Sequence, residues 1–417
     1  MNVAPRARMN RNDEVIVTFP DADRELSNRV SIVGVGNSDF AFDYETARSR
    51  KAEPVHNMAD QLALTSFERA LADSGLTRRD IDAVGFSYFV KDYSAFTPEL
   101  ASDALGLRPR HAEMTMPIMM GVVPQAVAML ARKDVDTFAL IYSAPMRSIR
   151  RAFGGDTESY GPPSYYYYHP WGWSSQGAHW ALKAQRYLSQ YGYAERDLGV
   201  VATTLRDNAG RSDFAIMQDP ITIEDYLSSR YVVKPLHLLD MCLVSDASVC
   251  LILKRTEESA GLRTIPVRVS GWGRAETHKE MFKHMVVKAL REEYQEAGRQ
   301  ALDMAGLDIA EIRHFEGYDA ASIHLINQIE GYGFAAPGEA LSMWADGHMK
   351  YGGGLGVSTS GGMMSEAYTQ GWGQVLEAVR QLRHEAGARQ VLDLAASMTS
   401  LSTPDGAYPL VFTRGDA

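Results

Sequence analysis

At 417 residues the chain is long enough for two or three domains' worth of core, and its 45% hydrophobic and 23% charged residues are those of an ordinary globular protein. A formal net charge of −10 argues against a nucleic-acid binder, which needs a basic surface to neutralise phosphate. Two cysteines, Cys242 and Cys250, offer neither a disulfide framework nor a Cys-based zinc site, and no apolar run reaches the roughly 18 residues of a membrane span.

The opening MNVAPRARMNRNDE lacks the apolar stretch of a secretory signal, so a cytoplasmic protein is expected. Residues 1–28 are polar and Arg-rich and read as an N-terminal arm, loose or facing a partner. Residues 30–36, VSIVGVG, predict a buried strand. The G-x-G there lacks the third glycine of a dinucleotide fingerprint and is assigned to a tight turn. Leu62, Leu64, Phe67, Ala70 and Leu71 sit at helical spacing across 60–74, and Gly75 stands where a glycine ends a helix. A strand near 83–89 follows. Residues 121–141 predict a helix feeding a strand at 137–141.

Residues 148–234 read as an insertion, in which Tyr165–Tyr168 and HPWGWSSQGAHW concentrate aromatics and glycines. An apolar ligand wall suits that composition as well as a core plug or dimer contact does. Residues 235–250 then read as strand–turn–strand, and 265–271, IPVRVSG, open a second half much as VSIVGVG opens the first.

The second half repeats the first. ALDMAGLDIAEI at 301–312 aligns with ALADSGLTRRDI at 70–81 at a constant offset of 231. Residues 371–394, with a helix expected over 375–385 and a strand over 390–394, parallel 121–141. These correspondences predict an internally duplicated α/β protein with a mixed sheet in each half, divided as 29–260 and 261–417.

Most catalytic motifs fail on inspection. His278 and His284 lie six apart, on different helix faces, and no HExxH is present, so no metal site is expected. Gly356-Val357-Ser358-Thr359-Ser360 lacks the last glycine of a hydrolase elbow, and the glycines of 352–362 lack the Lys-Ser/Thr of a P-loop. Cys242 and Cys250 flank a strand in apolar context, where free thiols are usually buried and inert. What stands out is 352–373, GGGLGVSTSGGMMSEAYTQGWG, with six glycines between Gly352 and Gly362 and Tyr368 ahead of a helical pattern. Such a stretch lets backbone approach a ligand closely.

Four stretches resemble the thiolase superfamily, in particular its sterol-carrier, lipid-transfer-protein branch. They are VSIVGVGNSDF from Val30, PLHLLDMCLVSDA at 235–247, EGYDAASIHLINQIEGYGFAAPGE at 316–339 and VSTSGGMMSEAYTQGWGQVLEAVRQLRHEAGARQV at 357–391. The resemblance implies a five-layer αβαβα thiolase fold carrying an aromatic-rich insertion. It also exposes departures. Where a thiolase keeps its nucleophilic cysteine this chain has Ile118, and the second thiolase cysteine is absent near Ser397–Ser402. Tyr368 stands where the family's Gly-His-Pro histidine would be, and Tyr318 in YDAAS stands where its Asn or His would be. Without a thiolate, the acyl-enzyme route is closed.

A tyrosine pair with no cysteine resembles the thiolase-like aldolases of steroid side-chain degradation. That resemblance implies a carbon–carbon lyase splitting a bulky β-hydroxyacyl-CoA, such as a 17-hydroxysteroid side-chain thioester, into a ketone and a short acyl-CoA such as propionyl-CoA. Tyr318 and Tyr368 would be catalytic, backbone N–H groups at Gly361 and Gly362 would bind the oxyanion, and neither metal nor cofactor would be required. It further implies a small OB-fold partner and a homodimeric core, together a heterotetramer. A phenol with a pKa of about 10 must be tuned downward to act as base at neutral pH, and the roles of the two tyrosines stay open. Two rival expectations remain: a non-catalytic lipid- or acyl-CoA-binding thiolase fold, and an acyltransferase lacking the usual cysteine.

Overall fold

The computed structural model describes residues 6–9, 15–18, 24–47, 49, 55–89, 96–115, 121–150, 169–171, 173, 175–277, 291–403 and 406–415. Ile118, Tyr165–Tyr168, His278 and His284 lie outside the described residues.

The first half runs strand β1 (Val30–Asn37), helix α1 (Val55–Ser74), β2 (Ala83–Tyr88), β3 (His111–Met114), α2 (Val122–Ala131) and β4 (Thr137–Pro145). Two helices of the insertion, α3 (Gln176–Tyr191) and α4 (Glu195–Ala209), come before β5 (Asp246–Arg255). The second half runs β6 (Val267–Trp272), α5 (Arg291–Ala305), β7 (His314–Glu316), α6 (Ser322–Tyr332), β8 (Gly356–Val357), the one-turn α7 (Gly362–Ser365), α8 (Trp372–Leu382), β9 (Ala396–Thr403) and β10 (Gly406–Arg414).

Both sheets have one topology. The first is ordered β3-β2-β4-β5-β1 and the second β8-β7-β9-β10-β6. In each, the three strands at one end are parallel and the remaining pairings are antiparallel. A short antiparallel pairing of β1 with β6, Ile32 opposite Val267 and Ser31 opposite Arg268, joins the halves.

Sheets buried on both faces need apolar residues at successive positions. On β4, Phe138, Leu140 and Tyr142 face a core shared with α2 and α8, while Ala139 and Ile141 face a core shared with α1. The second sheet packs its other face on α5 and α6. The result is the duplicated five-layer αβαβα arrangement expected, with α2 and α8 in the middle layer. No helix among the described residues is long and apolar enough to cross a membrane.

The repeat is visible in detail. Gly75 and Gly306 end α1 and α5 with φ of 76° and 71°. Each is followed by a one-turn 3-10 helix whose last, acidic residue folds back on the N–H of the residue preceding the helix: Asp80 on Thr77 at 2.7 Å, Glu311 on Asp308 at 2.8 Å.

Some boundaries differ from expectation. The helix of 60–74 begins at Val55, and that of 375–385 spans Trp372–Leu382. Residues 390–394 are not a strand: Gln381 accepts from the Val391 N–H at 2.8 Å, Asp393 takes a positive φ of 51°, and the strand starts at Ala396. Of the arm, Arg6–Met9 and Val15–Thr18 pair antiparallel, and the latter pairs with Ala275–Thr277 beside β10.

The Gly34-Val35-Gly36 turn is also a correction: both glycines lie inside β1. A Cβ on Gly34 would sit 2.6 Å from the Ala70 carbonyl oxygen of α1, and one on Gly36 2.2 Å from that of Ser66. Gly271 and Gly273 repeat this under α5, at 2.1 Å from the Ala301 oxygen and 1.9 Å from that of Ala297. Each helix therefore lies directly on the backbone of its first strand. Gly36→Ala and Gly273→Ala are each expected to destabilise by on the order of 1–3 kcal/mol through overpacking. Urea titrations showing unchanged midpoints would contradict the close approach.

Candidate active site

The site forms where the chain leaves β7 and where it turns after β8. Glu316, the last residue of β7, accepts from the Thr359 N–H at 2.7 Å, and the Phe315 carbonyl accepts from the Ser358 N–H at 3.0 Å. Asn208 of α4 donates to the carbonyls of Val357 and Ser358 at 3.1 and 3.2 Å. The turn is thus gripped by the strand beside it and by the insertion.

Asp319 locks the two segments together. Its Oδ1 accepts from the Met363 N–H and its Oδ2 from the Met364 N–H, both at 2.9 Å, so it caps the first turn of α7. Gly362 passes so close that a Cβ would lie 2.3 Å from Oδ2, and Gly361 so close to α4 that a Cβ would meet that of Ala209 at 2.5 Å. Both glycines have positive φ, 100° at Gly361 and 60° at Gly362. Close approach and a left-handed turn account for this pair.

Of the pair's N–H groups, that of Gly361 donates to the Ser358 carbonyl at 2.9 Å. The Gly362 N–H has no partner among the described residues.

The two tyrosines meet. Tyr318 Oη and Tyr368 Oη are 3.3 Å apart across fifty residues of sequence. Gln328 of α6 holds the Tyr318 backbone, accepting from its N–H at 3.0 Å and donating to its carbonyl at 2.8 Å. Ser245 Oγ accepts from the Tyr368 N–H at 2.9 Å. Gln370 Nε2 donates to Tyr368 Oη at 3.2 Å. Tyr368 is buried and Tyr318 half-buried.

Burial raises the Tyr318 phenol well above its usual pKa, and the Tyr368 phenol beside it raises it further. Tyr318 therefore keeps its proton. Burial likewise pushes the Asp319 carboxyl up to about 7, against the hydrogen bonds from Met363 and Met364 that favour its charge. Cys242 is half-buried next to this pair, its N–H donating to the Ala320 carbonyl at 3.2 Å. Burial pushes its thiol up to about 12, so it is no ready nucleophile.

Sequence reasoning missed Gln370 and His324, whose ring meets that of Tyr318 edge to face with centroids 5.6 Å apart. Gln370 lies only two residues past Tyr368, and His324 six past Tyr318; neither belongs to a recognisable motif. Among the described residues no group of His, Cys, Asp and Glu is placed to hold a metal ion.

Comparison with known proteins agrees with the fold. Residues 273–404 match the family described as Thiolase C-terminal domain-like. A steroid side-chain-cleaving aldolase of Thermomonospora curvata is 30% identical over 372 residues, 86% of this chain and 91% of that one. This chain belongs to the thiolase superfamily, on the branch of the steroid side-chain aldolases. On the same branch, the 17-hydroxy-3-oxo-4-pregnene-20-carboxyl-CoA lyase of Mycobacterium tuberculosis is 30% identical over 379 residues, 86% of this chain and 92% of that one. A solved Ltp2-ChsH2(DUF35) aldolase superposes with a TM-score of 0.80 at 28% identity, covering 94% of this chain and 99% of its own.

In this thiolase-fold site, Asp319 titrates in a predictable direction. Between its ordinary value of 3.8 and about 7, the folded state holds a proton that the unfolded state has released, so its contribution to stability falls as pH rises through that window. Asp319→Asn is expected to flatten the pH dependence of unfolding there by up to about 1.4 kcal/mol per pH unit. Identical slopes for variant and parent would rule this out.

Proposed function

We propose that the chain is a carbon–carbon lyase that cleaves a β-hydroxyacyl-CoA by retro-aldol chemistry. The observation that carries the reading is the phenol pair, Tyr318 Oη to Tyr368 Oη at 3.3 Å, with Gln370 donating to Tyr368. The Gln370 amide donates to Tyr368 Oη, on this reading the Tyr318 hydroxyl donates to it as well, and donors to an oxygen favour its anion. Tyr318, raised by burial, supplies the proton of that hydrogen bond.

On this reading Tyr368 is the base. It takes the β-hydroxyl proton, the bond between the α and β carbons breaks, and a ketone leaves. The electron pair passes into the thioester enolate, which receives a proton at its α carbon through the tyrosine pair. The Gly362 N–H is the donor of the glycine pair left for the enolate oxygen. No covalent intermediate forms, in keeping with Ile118 at the position of the thiolase nucleophile.

A bulky substrate, such as a 17-hydroxysteroid-20-carboxyl-CoA releasing propionyl-CoA, follows the two aldolase relatives. An OB-fold partner and a homodimeric core belong to the same proposal. The half-exposed edge strand β3 offers a site for strand pairing with a second copy.

The test is cleavage of 17-hydroxy-3-oxo-4-pregnene-20-carboxyl-CoA by the full chain, followed as ketone release. Tyr318→Phe and Tyr368→Phe should each lose about 10²–10⁴-fold in turnover with the fold intact, the range expected for a positioned proton-transfer group. If both cleave at the parental rate, the reading falls. Gln370→Met removes a donor to the base, so the rising limb of the kcat/KM profile should move to higher pH. An unmoved limb would instead assign the base to another group. A labelled acyl-enzyme would favour an acyltransferase, and binding without turnover a carrier.

A further inference from the structure

His324, the third residue of α6, is 1% exposed, and neither of its ring nitrogens has a partner among the described residues. Its edge-to-face contact with Tyr318 places it beside the phenol pair. On its other side it lies against the Trp180 indole of α3, ring centroids 4.0 Å apart and planes at 22°. Trp180 meets the fully buried His179 at 4.7 Å. The His179 ring nitrogens and the indole N–H also lack partners among the described residues. One helical turn further along α3, the Lys183 ammonium stands 5.2 Å from the centre of the Trp180 ring.

Nearly all buried polar atoms in folded proteins are hydrogen-bonded, and exceptions gathered in one place ask for a partner from outside the fold. Here they gather around a ring that touches the proposed acid of the reaction. Burial and the nearby Lys183 charge hold the His324 imidazole well below its usual pKa, so it is neutral, with one N–H to give and no charge to lose. The stack on Trp180 fixes the plane of that ring.

The glycine turn supplies the second half of the argument. Oxyanions in enzymes are held by converging donors. The Gly361 N–H is spent on Ser358, and those of Met363 and Met364 on Asp319, so of the N–H groups at 361–364 the one at Gly362 is left.

We propose that His324 is a catalytic residue of this site, its ring N–H donating to the thioester oxygen as the enolate forms, with Trp180 and His179 as positioning residues. This rests on the retro-aldol reading. His324 keeps its proton throughout: the hydroxyl proton moves through the tyrosine pair to the α carbon, and the imidazole stabilises only the charge gathering on oxygen.

Two assays on the full chain decide it: cleavage of the pregnene-carboxyl-CoA thioester, and exchange of the α-protons of propionyl-CoA in D₂O, which reports enolate formation alone. His324→Phe keeps an aromatic ring for the stack but has no donor, and should lose about 10²–10³-fold in kcat and in exchange rate, with KM little changed. His324→Gln, which restores an N–H, should recover at least about tenfold of that loss, a rescue that a packing role would not give. Circular dichroism checks folding; if the Phe variant does not fold, His324→Met against His324→Gln makes the same comparison. A donorless variant that folds and exchanges at the parental rate overturns the proposal. If at the same time Tyr318→Phe and Tyr368→Phe have lost turnover, the lyase reading stands and His324 alone is wrong. A parent chain that neither cleaves nor exchanges, with its OB-fold partner present, overturns both.

Discussion

The carboxylate of Asp319 is the tie on which the site depends. One oxygen accepts from Met363 N–H and the other from Met364 N–H, so the peptide leaving β7 is fastened to the turn leaving β8. Tyr318 is the neighbour of that carboxylate in sequence, and Tyr368 follows α7 within a few residues. Their separation at 3.3 Å follows from a joint made elsewhere. The joint demands a glycine at 362, because any Cβ would enter the space of Oδ2. Beneath it lies a second set of buried charges. Glu316 and Glu377 both accept from Thr359, and Glu377 is paired with Arg389 through contacts of 2.9 Å. A dyad that must hold two hydroxyls within hydrogen-bond reach is best built on a scaffold whose supports are themselves pinned.

The duplication explains where that scaffold sits. Both halves have the same strand order, yet the described tyrosine pair draws on the second half only, beyond the carboxyl ends of parallel β7 and β8. Open α/β sheets place their ligands at such ends. The first half contributes anchors: Ser245 holds the Tyr368 N–H, and Leu243 N–H donates to the Met363 carbonyl at 2.9 Å. The insertion adds Asn208 under the turn and Trp180 against His324. One repeat has become the site and the other its support.

What the sequence made legible was what local pattern encodes. Helix ends marked by Gly75 and Gly306, the offset repeat, and both tyrosines could be read because each sits in a stretch with its own signature. The pair Gly34 and Gly36 reads as a turn from sequence because glycine has two uses, positive φ and absence of a side chain, and a single chain does not say which applies. Only a helix lying on the strand, with carbonyls 2.6 and 2.2 Å from where Cβ atoms would be, distinguishes them. Residues 390–394 look apolar enough for a strand, but Gln381 in α8, ten residues before Val391, takes the N–H that a ladder would need. Gln370 and His324 were illegible for a different reason: their roles are contacts across the fold, and no spacing along the chain announces them.

Two chemically identical side chains can do different work only if their surroundings differ, and here they do. Phenols 3.3 Å apart do not ionise independently; once one has lost its proton, the other is held to its own by the neighbouring charge. On the proposed reading, what else touches each oxygen decides which loses first. Gln370 donates to Tyr368, while Tyr318 is raised by burial among the Cys242 thiol and the Tyr142 and Tyr368 phenols, groups that offer it no positive charge. A cysteine in such a place would face the same desolvation, as Cys242 does with its thiol at about 12, and would gain nothing as a nucleophile. On the proposed reading, a site without covalent chemistry tolerates an apolar wall, because a shared proton between two hydroxyls needs no solvent to stay in place. On the proposed reading that is the link between the missing thiolate and the paired tyrosines: the surroundings that would silence a cysteine are those that split two phenols into a donor and a base.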